Sequence, residues 1–211
     1  YTIGLNIIGA HTQNKNTYVR WREFQDRPIP QAQHDQWKQE DAFSKGMAII
    51  PGKVWHNSMK SSYYFTSLDL DKQKAIDSIC KICKIRGIRT ALLEKLASKF
   101  LVEQHKDDTT KAHIAFYSPV PFPKKSADSE TGIEVKGLGE HGIMFCSGSV
   151  HKDGERYEII GTADPIILTI DQAKQLQQGI DKICKRHSVE YLQKHYSCLL
   201  YTSDAADDLT R

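Results

Sequence analysis

The chain has 211 residues, 39% of them hydrophobic and 26% charged, with a formal net charge of +3. That length supports one sizeable domain or two small lobes sharing a core, and the composition fits a soluble globular protein. A balance this close to neutrality does not mark the whole chain as a nucleic-acid binder, so local patches carry the information. No apolar run reaches the roughly 18–20 residues that span a bilayer, and no signal peptide is visible. The expectation is a cytoplasmic protein with no membrane partner. The first residue is Tyr1 instead of Met, as expected of a truncated or processed start.

In chain order, Leu5, Ile7 and Ile8 predict a first short strand over 4–9. Residues 18–27 set Trp21 and Phe24 among cations, Pro28 and Pro30 break the run, and 31–38 reads as a short helix. A buried strand is expected over 47–50, a turn over 54–60 and a longer strand over 63–70. Helical spacing returns over 72–85, with Asp71 as its N-cap, and over 90–99 through Leu92, Leu93 and Leu96. Strands over 100–103 and 113–117 around the polar turn 106–110 make a hairpin. Residues 119–130, rich in Pro, Lys and Ser, read as an exposed loop. Short strands follow over 132–135, 142–146, 156–160 and 165–169, and Asp171 reads as the N-cap of an amphipathic helix over 172–186. Helices mixed with hairpins favour an α+β sheet over a doubly wound one. No G-x-G-x-x-G or P-loop is present.

Cys80, Cys83, Cys146, Cys184 and Cys198 are odd in number and scattered, which argues against a disulfide framework. Cys80 and Cys83 form a C-x-x-C inside a helical stretch with no second pair after it, so reduced helix cysteines are expected instead of zinc. The run 198–208 departs from the preceding pattern and resembles a translated sequencing-library adapter. It is set aside as an expression scar would be, with natural sequence expected to continue past about Ser197.

The chemistry concentrates in four places. Tyr63-Tyr64-Phe65-Thr66-Ser67-Leu68-Asp69-Leu70-Asp71 is an aromatic, apolar run ending in two carboxylates one residue apart. In a strand, residues i and i+2 share a face, so Asp69 and Asp71 project together; like charges there repel, and a hard divalent cation relieves that repulsion. His113 opens an apolar strand beside Thr109, Thr110 and Lys111, where a ring N–H can hold a phosphate oxygen. Glu134 lies between Ile133 and Val135. If those two face the core, Glu134 points away from it, and becomes a third oxygen ligand only if that side is a cleft. The loop Ser147-Gly148-Ser149-Val150-His151-Lys152-Asp153-Gly154-Glu155-Arg156-Tyr157 combines small residues, hydroxyls, an imidazole and two cations suited to a triphosphate, although Lys152-Asp153-Gly154-Glu155 also reads as an ordinary hairpin turn.

Leu68-Asp69-Leu70-Asp71, then Thr110-Lys111-Ala112-His113, then Ile133-Glu134-Val135 form an ordered set. That set resembles the primase–polymerase (Prim-Pol) domain of the archaeo-eukaryotic primase superfamily. The aromatic segment up to Trp21, the run Gly46-Met47-Ala48-Ile49-Ile50-Pro51-Gly52 and the late Gly148-Ser149-Val150-His151 with Gly154-Glu155-Arg156-Tyr157 are also similar. The likeness covers about residues 1–170. It departs where the family commonly has Ser-x-His, since Lys111-Ala112-His113 stands here, and where Asp is usual, since Glu134 is one methylene longer. Ser149-Val150-His151 is a competing Ser-x-His; His113 is preferred because it falls between the two acidic motifs.

The resemblance implies an RRM-like antiparallel or mixed sheet lobe packed with a smaller α/β lobe and flanking helices. It implies a catalytic domain over 1–170, a helical extension over 171–197 and a non-native tail over 198–211. The implied activity is template-dependent nucleotidyl transfer, as a DNA primase or polymerase in replication of a plasmid, virus or other mobile element. Asp69, Asp71 and Glu134 would hold two Mg²⁺ or Mn²⁺ ions, and His113 would bind nucleotide phosphates with Lys111, Ser149 and His151. The partners implied are a single-stranded DNA template or primer, dNTPs or NTPs, and a helicase domain further along the natural chain. Arg20, Arg22, Arg27, Lys124 and Lys125 are candidates to track the template, and Trp21, Phe24 and Trp37 to stack on bases, against a plain solvated or core role. Two alternatives remain: a non-catalytic RRM-like module that binds single strands, and a metal-dependent nuclease.

Overall fold

The computed structural model describes residues 4–12, 16–88, 91–106, 108–123, 125, 129–139, 142–150, 154, 156–161 and 164–184. In chain order these form β1 (Asn6–His11), β2 (Asn16–Thr17), a 3-10 turn (Arg22–Gln25), α1 (Gln31–Gln39), β3 (Met47–Ile50), β4 (Gly52–His56) and β5 (Ser61–Leu70). Then come α2 (Gln73–Ile82), α3 (Leu92–Ala97), β6 (Leu101–His105), β7 (Asp108–Ser118), β8 (Ile133–Lys136), β9 (Met144–Phe145), β10 (Tyr157–Ile160) and β11 (Ile166–Ile167). A last helix, α4, runs over 170–184. The domain is α+β with two largely antiparallel sheets.

A four-stranded sheet has the order β2-β1-β3-β9. A seven-stranded sheet has the order β10-β6-β7-β5-β4, with β8 also on β5 and β11 parallel to β7. The period-2 alternation of the long strands explains how the two sheets stack. On β5 and β7, Leu68, Leu70, Ala112, Ile114 and Phe116 point to one face and pack with Ile76, Ile79 and Leu96 of α2 and α3. The alternate residues Phe65, Ala115 and Tyr117 point to the other face and meet Ile49 and Met144 of the small sheet. The small sheet's far side, through Ile8, Ala48 and Ile50, is covered by Phe24, Ile29 and Trp37. The layers are therefore α1 with the 3-10 turn, small sheet, large sheet, and α2, α3 and α4. Full burial of each large apolar side chain contributes about 1.5–3 kcal/mol.

α4 belongs to the helical side of that core. Ala173, Leu176, Ile180 and Cys184 recur at helical spacing and are buried in it. Its start is fixed by a reciprocal cap: Gln172 N–H donates to Thr169 Oγ1 at 3.2 Å and Thr169 N–H donates to Gln172 Oε1 at 2.9 Å. The expected Asp171 cap is thus replaced by Thr169, and Asp171 lies inside the helix. Asp71 is not the cap of α2 either; Lys72 holds that position, without a side-chain bond.

Other boundaries shift for identifiable reasons. The turn expected over 54–60 is confined to 57–60, because β4 pairs with β5 from Gly52↔Phe65 to His56↔Ser61. β7 begins at Asp108, so the hairpin turn is shorter than its polar sequence suggests. The stretch 119–130 is anchored at Phe122, 2% exposed, and by the Lys125↔Val135 bridge. No described helix is long and apolar enough to cross a membrane. His151, Lys124, the end of the predicted last helix and the adapter-like run lie outside the described residues.

Candidate active site between the two sheets

Antiparallel register sets four functional side chains in one row across the large sheet. Glu134 of β8 pairs with Asp69 of β5, Asp69 pairs with His113 of β7, and His113 pairs with Glu103 of β6. Directly opposite residues have Cβ atoms roughly 4.5–5.5 Å apart, so their side chains interact. Ile133 and Val135 do face the helical core. Glu134 therefore shares the opposite face with Asp69 and His113, and that face looks onto the small sheet. Gly132, at φ 73°, sets the start of β8 against the end of β5, where its carbonyl accepts the Asp71 N–H at 2.9 Å.

A cleft of about 340 Å³ opens there. Asp69, His113, Lys136 and Tyr157 line one wall, and Thr12, Thr17, Trp21, Met144 and Phe145 line the other. The Lys136 ammonium sits between two acids, 2.9 Å from Glu134 Oε2 and 3.4 Å from Asp69 Oδ2. One cation already bridges both carboxylates, so the two lie within a single ion's reach. Asp71 follows the last residue of β5 and is exposed. Partial desolvation of its carboxyl against the sheet end and then the Asp69 charge push its pKa up, while His113 and Lys136 oppose the rise. Asp71 therefore feels the same cluster from its edge.

His113 is held on three sides. Its Nε2 is 3.6 Å from Asp69 Oδ1, its Nδ1 is 3.5 Å from Glu103 Oε2, and its ring stacks on Tyr157 at 5.2 Å and 22°. Burial disfavours its charged form, but Asp69 and then Glu103 outweigh burial and raise its pKa, with Lys136 opposing.

Oxygen donors and concentrated negative charge are what a hard divalent ion requires, so Asp69, Asp71 and Glu134 fit Mg²⁺ or Mn²⁺ by donor chemistry. Among the described residues, no three His, Cys, Asp or Glu side chains already converge into a metal cage; the space between Asp69 and Glu134 holds the Lys136 ammonium. Cys80, Cys83, Cys146 and Cys184 are free thiols, and burial foremost raises Cys80 to about 11.

The remaining candidates separate clearly. Lys111 pairs with Asp108 at 2.9 Å near the hairpin end. Ser149, expected at a nucleotide, is fully buried; its hydroxyl donates to Met47 O at 2.9 Å and accepts Met47 N–H at 2.8 Å. Phe24 and Trp37 are buried against each other, edge to face, and present no stacking surface. Arg27 pairs with Glu23, and Lys125 with Asp181 of α4. Arg20, Trp21 and Arg22 instead line an open groove of about 500 Å³ that shares Thr17 and Trp21 with the cleft. Sequence reasoning missed Lys136 and Glu103 as site residues and did not assign Tyr157 a contact. Lys136 was readable, being two residues from Glu134 on the same strand face; Glu103 was visible only as a strand end.

Carboxylates, an imidazole and an ammonium thus meet where the two stacked sheets of a mixed α+β domain face each other. The family model for the N-terminal domain of bifunctional DNA primase/polymerase (Prim-Pol) matches residues 2–174. The chain belongs to that family. No curated protein matches it.

Proposed function

We propose that the domain joins nucleotides on a single-stranded DNA template, with the incoming nucleoside triphosphate held in the cleft between the sheets. The observation that carries this reading is the cross-strand row Glu134–Asp69–His113, of which Asp69 and His113 line the cleft and Glu134 joins it through Lys136. It sets carboxylates, whose oxygens suit a divalent ion, beside an imidazole that can donate to a phosphate, and family membership supports the matching activity. In this reading the seven-stranded sheet with its helices is the RRM-like lobe and the four-stranded sheet is the smaller one.

Asp69, Asp71 and Glu134 would hold the divalent ions. When bound, such ions lower the pKa of the attacking 3′-hydroxyl and stabilise charge on the α-phosphate and departing pyrophosphate. His113 presents Nε2 to a phosphate oxygen and donates a charge-assisted hydrogen bond. Lys136 balances the carboxylates before ligand arrives and keeps positive charge near the phosphates afterwards. Tyr157 fixes the imidazole plane, and the apolar wall of Met144 and Phe145 excludes water from one side. No covalent enzyme intermediate is needed, because positioning and electrostatics supply the acceleration. The groove along Arg20, Trp21 and Arg22 receives the single strand, with one stacking ring and salt-sensitive phosphate contacts.

The test is extension of a primed single-stranded template with labelled dNTPs and Mn²⁺. Growth of the primer that Asp69→Asn abolishes supports the reading. Shortening of the strand establishes a nuclease instead, and a metal-independent gel shift without either reaction establishes a binding module.

A further inference from the structure

Glu103 is 3% exposed and is the one carboxylate among the described residues that is buried. Nothing in nucleotidyl transfer calls for it, and burying a charge is costly unless it is paired. Its two oxygens do different things. Oε1 accepts the Ser147 N–H at 2.7 Å, while Oε2 has no hydrogen-bond partner and faces His113 Nδ1 at 3.5 Å. Ser147 follows β9 of the small sheet, whereas Glu103 lies on β6 of the large one. One carboxylate thus ties the loop after β9 to the imidazole across the cleft.

The imidazole could expose either ring nitrogen after a half-turn about its χ2. Tyr157 restricts the ring plane but does not distinguish the two nitrogens. A carboxylate faces each nitrogen, Asp69 at Nε2 from the cleft wall and Glu103 at Nδ1 from outside the cleft lining, so the buried Glu103 oxygen favours a proton on Nδ1 and fixes Nε2 as the edge on the cleft side. We infer that Glu103 is a positioning residue for His113, holding Nδ1 so that Nε2 is the atom presented to the nucleotide's phosphate. The role of Nε2 rests on the nucleotidyl-transfer reading; the grip on Nδ1 does not.

Two readouts separate those layers. In metal-free protein, long-range ¹H–¹⁵N spectra of the His113 ring should show a proton on Nδ1 in slow exchange, retained in Glu103→Gln and lost in Glu103→Leu. A wild-type ring with a bare Nδ1, or an unchanged ring in Glu103→Leu with the fold intact, overturns the inference whether or not the protein polymerises. In the extension assay with dATP and Mn²⁺, Glu103→Leu should raise KM for dATP about 10–100-fold, the range typical of groups that orient a ligating histidine. Glu103→Gln should restore most of that, and Glu103→Leu should add little in a His113→Ala background. Full additivity with His113→Ala would make Glu103 only an anchor for Ser147 and overturn the role. A protein that shows the Nδ1 signature but extends no primer would refute the nucleotidyl-transfer reading and leave the positioning of His113 standing.

Discussion

Lys136→Met tests the electrostatics of the cleft without relying on catalysis. The Lys136 side chain is 15% exposed, and its partners Asp69 and Glu134 are 20% and 18% exposed. A unit charge pair at about 4 Å is worth about 4 kcal/mol at an effective dielectric near 20, before desolvation is subtracted. Removing one partner of a buried pair costs about 3–5 kcal/mol, because the charge left behind has lost its compensation. These groups keep some solvent, so about 2–3 kcal/mol of destabilisation is expected. For a domain of this size that lowers Tm by roughly 4–12 °C. The vacated space lies between two carboxylates, so a divalent cation should replace the ammonium. In EDTA, Lys136→Met melts well below wild type; with Mn²⁺ at about 100 times its Kd, binding returns about 2.7 kcal/mol. Thermal melts of both proteins in EDTA, Mg²⁺ and Mn²⁺ measure this directly. A variant as stable as wild type in EDTA, or one that Mn²⁺ leaves unmoved, would refute the account of Lys136 as the ion-like partner of Asp69 and Glu134.

Asp71→Asn should stabilise the metal-free protein at neutral pH. The folded-state pKa of Asp71 is raised, chiefly by burial and then by Asp69, so its contribution is fully present below the unfolded pKa and lost as pH rises through the folded one. Denaturant melts in EDTA should show the Asn advantage at pH 7 fading towards acid; an Asn variant less stable at pH 7 contradicts this sign. Ser149→Ala removes a hydroxyl bonded to both backbone groups of Met47. It should cost about 1–3 kcal/mol in melts and leave the KM for dNTP unchanged, whereas a rise in KM would return Ser149 to the nucleotide site. Thr169→Ala should cost about 1 kcal/mol by opening the α4 cap, read as a lower denaturation midpoint with unaltered m-value. Glu134→Gln should cut Mn²⁺-dependent extension at least about 100-fold while the far-ultraviolet spectrum stays unchanged, and near-normal extension would remove Glu134 from the metal set.

Much of the element order was legible because it depends on local pattern. The alternation Phe65-Thr66-Ser67-Leu68-Asp69-Leu70 fixes a strand and assigns Asp69 to a different face from Leu68 and Leu70, and the spacing of Ala75, Ile76, Ile79 and Cys80 fixes α2. Caps were less legible. Asp71 and Asp171 are both chemically suited to an N-cap, but the chain turns at Lys72 and at Thr169, where Gln172 can answer. The strand β4 escaped because Val54-Trp55-His56 is short and followed by polar residues; its pairing with β5 is a long-range fact that no local window contains.

The sequence by itself determined the family motifs, their order, and which residues along each strand share a face, since backbone geometry makes side chains alternate with period two. Tertiary structure decided which strands lie side by side and at what register. A slip of one residue would move Glu134 or His113 to the helical face. Register puts Glu103 opposite His113 and brings Asp69 beside Glu134 and Lys136, and a side-chain bond to the Met47 backbone buries Ser149 against β3, because these pairings join segments far apart in the chain that no local pattern can relate.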